Sequence, residues 1–133
     1  MRFKRLIKVA VLTSAVVLMF GSSVYAGTSM ERYSTTVGRF NGSAFSSYQT
    51  KTYTIDKGEL YSNAVGGHYT VDVRMCSSAG KKARWIRDVD DNTTYEIPTN
   101  RNTIKAGNNV RLEFSNDLTT PVKVQVEGRW MSN

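Results

Sequence analysis

A single imidazole, a short run of acids and a scatter of aromatic rings are the side chains of this sequence with chemistry to offer. His68 is the only histidine in 133 residues, so any Ser-His-Asp or Cys-His relay must run through it. It sits in a stretch where His68, Thr70, Asp72 and Arg74 alternate with Tyr69, Val71, Val73 and Met75. That alternation puts it on the polar side of a strand, facing solvent. No spacing ties a nucleophile to it, since Cys76, the only cysteine, lies eight residues away. A structural zinc centre takes about four ligands from Cys and His, and this chain has one of each. There is no glycine-rich phosphate loop and no paired-acid motif; an acid pair drawn from distant strands, such as Asp72 with Glu113, is the catalytic route left open. A non-enzymatic protein is the expectation.

Asp88, Asp90, Asp91 and Asn92 concentrate oxygen ligands within five residues, the ligand type that a hard cation such as calcium selects. The glycine and glutamate of an EF-hand loop are not in place, and the competing reading is an acidic turn whose short side chains bond their own backbone. Calcium is the one cofactor this pattern raises. Trp85, between Arg84 and Arg87, together with Tyr48, Tyr53 and Tyr61, offers rings for a sugar face and guanidinium groups for its hydroxyls. Against that stands core or cross-strand packing, the commoner use of strand aromatics. Cys76 has two readings, a small buried hydrophobe or a thiol that pairs between chains; burial is the expectation, and with it a monomer.

The elements that position these groups follow a leader. Met1 to Lys8 carries four basic residues and no acid, Val9 to Phe20 is apolar, and Val24-Tyr25-Ala26 supplies a cleavage site. This is the layout of a secretory signal peptide, residues 1–26, cut after Ala26. The apolar run is too short for the roughly 20 residues of a membrane span. No cysteine follows the cleavage site to take a lipid. The expectation is a secreted, extracellular protein of residues 27–133 with no membrane span. Cleavage also changes the charge, because four of the 18 basic residues and none of the 11 acidic ones leave, turning +7 into 14 against 11, or +3. Such a mixed surface gives no reason to expect nucleic acid. One cysteine excludes an internal disulfide, and about a hundred residues suffice for a single core.

Beyond Ala26 the periodicity is that of strands, which predicts an all-β domain of seven or eight strands in an antiparallel two-sheet sandwich. Asn41-Gly42 predicts a tight hairpin between Tyr33–Phe40 and Ser43–Lys51. Thr52–Leu60 reads as a short strand running into a turn. His68–Met75 and Ala83–Val89 read as a second hairpin, Asp90-Asp91-Asn92 as a turn, and Thr93–Ile97 as a strand. Val110, Leu112 and Phe114, then Val122, Val124, Val126 and Trp130, predict a closing hairpin. On its outer face Arg111 and Glu113 would meet Lys123, Gln125, Glu127 and Arg129 as opposite charges.

The run Ala106 to Asp117 with Val122 to Trp130 resembles the closing hairpin of small, uncharacterised secreted β-sandwich proteins of Gram-positive bacteria. The resemblance implies a fold and an extracellular setting and carries no active residue. The functional expectation is a binding or interaction module for a cell-surface glycan or protein, with a bacteriocin-like antagonistic factor as the alternative.

Overall fold

The computed structural model describes residues 25–133. Among them lie ten strands and no helix: β1 (Tyr25–Ala26), β2 (Glu31–Val37), β3 (Ser43–Phe45), β4 (Gln49–Thr50), β5 (Gly58–Val65), β6 (Val71–Ser77), β7 (Ile86–Val89), β8 (Thr93–Ile97), β9 (Asn109–Ser115) and β10 (Val124–Met131). One sheet runs β1-β4-β9-β6-β7, with β3 also on β9; the other runs β2-β10-β5-β8. Every pairing is antiparallel except β1 with β4. The architecture is the predicted all-β sandwich. Its strand count rises because one edge is broken: between β3 and β4, Ser46 N–H donates to Leu112 O and Ser46 Oγ accepts from Leu112 N–H. A hydroxyl there takes the place of a ladder carbonyl. The expected leader lies outside the described residues except for Tyr25 and Ala26, which cleavage after Ala26 would remove together with β1.

The inner faces meet in one core. Val71, Val73 and Met75 of β6 and Val110, Leu112 and Phe114 of β9 oppose Leu60 of β5 and Val124, Val126 and Trp130 of β10, all of them buried. Tyr33 of β2 joins the two layers, its ring centroid 4.9 Å from that of Phe114. Burial pushes the Tyr33 phenol far above its ordinary 10.0, and the neighbouring Ser62 side chain lowers it less. The folded state therefore keeps a proton that the unfolded chain releases above pH 10, so this contribution to stability is present below pH 10 and is lost as pH rises beyond it. Urea midpoints measured at pH 8 and 10.5 should differ less for Tyr33→Phe than for the wild type. An unchanged difference would remove Tyr33 from the alkaline transition.

Both hairpins expected from local signals at the chain's ends are replaced by crossings between the sheets. At Asn41-Gly42 the positive φ values fall on Phe40 (52°) and Asn41 (62°), and β2 pairs with β10 while β3 pairs with β9. Phe40 N–H donates to Thr120 O and Asn41 N–H to Asp117 O, so this turn is tied to the β9–β10 connection and carries the chain from one layer to the other. Likewise β9 and β10 belong to different sheets. Their matching apolar faces are satisfied by packing face to face, and the expected charge pairs between them do not form. The hairpin of β6 and β7 is present, and Thr93–Ile97 is β8, but it pairs with β5.

Thr52–Lys57 is a loop and not a strand, with Ile55 69% exposed. Lys51 explains how it is held. Its side chain is buried, and Nζ donates to Asp56 O at 2.6 Å, Ser132 O at 2.9 Å and Asn133 O at 3.3 Å. Thr52 and Tyr53 N–H also donate to Asn133 O. Burial lowers the ammonium's pKa, partly offset by Asp56. A lysine thus takes the place of ladder bonding between the start of this loop and the end of β10.

Candidate ligand-binding face

The outer face of the first sheet is not the solvated surface that alternation predicts. Along β6 and β9, Asp72, Cys76, Glu113 and Ser115 are buried and Arg74 and Arg111 half-buried. Cross-strand register explains this: Arg74 lies opposite Glu113, Cys76 opposite Arg111, and Phe45 of β3 on the other side of Glu113. Arg74 Nε donates to Glu113 Oε1, and its guanidinium lies 4.1 Å from the Trp85 ring centroid. Arg87 approaches the same ring at 5.8 Å and donates from Nη1 to Asp72 Oδ2 at 2.6 Å. Arg111 lies 3.9 Å from the centroid of Phe45 and 4.8 Å from that of Tyr48. Delocalised guanidinium groups are weakly hydrated and stack on ring faces, so these alternating cations and rings cover one another in a strip from Tyr48 to Arg87.

Of the residues expected to form a sugar platform, Trp85, Arg87 and Tyr48 fall on this face, whereas Tyr61 lies on β5 in the other sheet. Tyr53 lies on the loop after β4, 53% exposed, its N–H on Asn133 O. Phe45, Arg74, Arg111 and Glu113 complete the face, a grouping that the sequence does not announce. Phe45 is 40% exposed, and Arg111 Nε is shielded from water with no acceptor among the described residues. Asp72 and Glu113 share the face as well, each engaged by its own arginine. His68 is exposed in the turn before β6.

The acidic run divides. Asp90 Oδ1 accepts Asp91 N–H, Asp91 Oδ1 accepts Val65 N–H, and Thr93 Oγ1 donates to Asp91 O. Asp90, Asp91 and Asn92, the last with φ 50°, therefore build the β7–β8 turn. Asp88, whose N–H donates to Asp72 Oδ1, instead converges with Asp72 and Asp117, with carboxylate oxygens within 4.8 Å of one another. Those three are the described carboxylates placed to share a cation, and Arg87 already occupies one oxygen of Asp72.

No protein-family model matches this chain, and no match to it was found among curated proteins. Function therefore rests on chemistry. Cys76 is buried, its Sγ directed at Arg111 O at 3.7 Å. Burial and then Glu113 push the thiol's pKa up, outweighing its arginine neighbours. A thiol held protonated in this way is a poor nucleophile.

Proposed function

We propose that the protein is a secreted, non-enzymatic binding module that recognises a cell-surface glycan through the outer face of β3, β9, β6 and β7. The observation that carries this reading is the strip of rings and guanidinium groups on one sheet face, with Phe45 and Trp85 part-exposed within it. Rings offer flat apolar surface to a sugar face, and the arginines supply donors fixed in direction by their stacking and ion pairs. The domain is small and its face is formed by strands, so little ordering accompanies binding.

The test uses the full chain, exported on its own leader and purified from the medium, where an N-terminus at Gly27 is expected. Binding to isolated cell walls should saturate with or without calcium. Trp85→Ala should weaken it at least tenfold, and Phe45→Ala should act in the same direction. Wild-type protein that fails to bind would overturn the reading.

One observation favours the antagonistic alternative: Phe40, Leu118 and Val122 are 55%, 73% and 43% exposed on two loops joined by backbone hydrogen bonds at one end of the sandwich. An apolar tip of this kind suits contact with another cell's surface. Growth inhibition of neighbouring cells, lost on Leu118→Ser, would select that reading.

A further inference from the structure

The outer face of the second sheet breaks the charge rule that the first sheet follows. In the first sheet the guanidinium groups of Arg74 and Arg87 each face a carboxylate. In the second, Arg32 of β2 lies directly opposite Arg129 of β10. Directly opposed residues have side chains starting about 5 Å apart, and like charges there destabilise the sheet. Arginine does not escape by losing its proton. Neither guanidinium has a carboxylate within 4.0 Å among the described residues.

Both arginines line one open groove with Ser34, Tyr61, Asn63 and Glu127. Arg129 stands over the Tyr61 ring, 5.3 Å from its centroid, and Tyr61 is its register partner on β5. The groove's one acid, Glu127, lies opposite Ser34 and accepts Gln125 Nε2 at 3.0 Å. Two guanidinium groups lining one groove, with a hydroxyl and an amide beside them, offer donors for a planar or tetrahedral oxyanion, which such forks can grip bidentately.

We infer that this groove binds one anionic group, a carboxylate or a phosphate diester, of an acidic glycan. The polymer's identity as a glycan rests on the proposed function; the anion contact rests on the groove alone. The bound anion would neutralise the repulsion between Arg32 and Arg129, so free protein carries a strain that ligand relieves.

The experiment is calorimetric titration of the secreted protein with an oligogalacturonate, a glycerol-phosphate oligomer and a neutral oligosaccharide of equal length. Wild type should bind one acidic probe more tightly than the neutral one, identifying the source of the anion, and binding should weaken as salt rises. Arg32→Gln and Arg129→Gln should each weaken it at least tenfold, with Lys105→Gln, which removes an exposed cation on the loop before β9, unchanged. Arg32→Gln should also leave the ligand-free melting temperature equal or raise it by about 1–3 °C, as expected when a like-charge pair is removed. Equal affinity of Arg32→Gln and wild type, or no preference for either acidic probe, would overturn the inference. Wall binding that survives Arg32→Gln but not Trp85→Ala would overturn the groove's role and leave the first face standing; the reverse pattern would do the opposite.

Discussion

Phe114→Ala is expected to lower the free energy of unfolding by about 3–5 kcal/mol, the usual cost of truncating a buried aromatic. Phe114 has no exposed surface and occupies β9, the strand that β3, β4 and β6 all pair with. Its register partners are Ala44 and Val73, and its ring meets Tyr33 across the layers. Ala44 is too small to refill the space. Tyr33 is constrained as well, because its hydroxyl is fixed over Gly128. The cavity should persist, placing the loss towards the upper end of that range. With a domain of this size losing about 4–8 °C per kcal/mol, the melting temperature should fall by about 15–30 °C. Phe45→Ala, one residue along β3 from Ala44 but on the outer face, is the control and should cost less than about 1.5 kcal/mol. Urea unfolding of the two variants decides it: similar losses would mean that the faces of β3 and β9 are wrongly assigned.

How far the sequence reaches is visible in this pair. Phe114 shares a period-two face with Val110 and Leu112, and that signal locates a core residue without a structure. Period two does not say which strand lies alongside. The six residues Asn116 to Pro121 fit a hairpin and a crossing between layers equally well, and only the crossing lets the apolar faces of β9 and β10 both be covered. Asn41-Gly42 misled for a related reason: its local preference for a tight turn was overridden by the hydrogen bonds of Phe40 and Asn41 to the 117–120 segment. Long-range pairing settled both cases, and no local pattern encodes it.

The candidate site shows the same division. Trp85 and Arg87 could be found by their proximity in sequence, whereas Arg74, Arg111 and Phe45 become a face only once β3, β9 and β6 are in register. Arg74 and Arg111 looked like solvated positions because alternation reports only which side a residue takes. Their ion pair and ring contacts then cover that side. Asp88 illustrates the converse: neighbours in sequence drew it into one acidic run, but its 58° φ and its N–H bond to Asp72 turn it away from Asp90 and Asp91.

The smallest change with a large expected effect is Gly128→Ala. Gly128 pairs with Tyr33 on one side and Ser62 on the other, at the point where the β10–β5 register slips between Glu127 and Gly128. A methyl group at this position would run into the backbone carbonyl oxygen of Tyr61 and come within 2.5 Å of the Tyr33 hydroxyl. Real side-chain carbons do not approach so closely. The Tyr33 side chain could give only by breaking its packing on Phe114, and the Tyr61 carbonyl only by moving β5. Overpacking ordinarily costs about 1–3 kcal/mol, and a clash with backbone belongs at or above the top of that range. Because Tyr61 supports Arg129, the shift should also spread the anion groove. Gly128→Ala is therefore expected to melt at least 10 °C lower than wild type and, at a temperature where it remains folded, to bind the preferred acidic oligomer several-fold more weakly. A variant with wild-type stability would mean that β10 and β5 are not held as closely as this register requires.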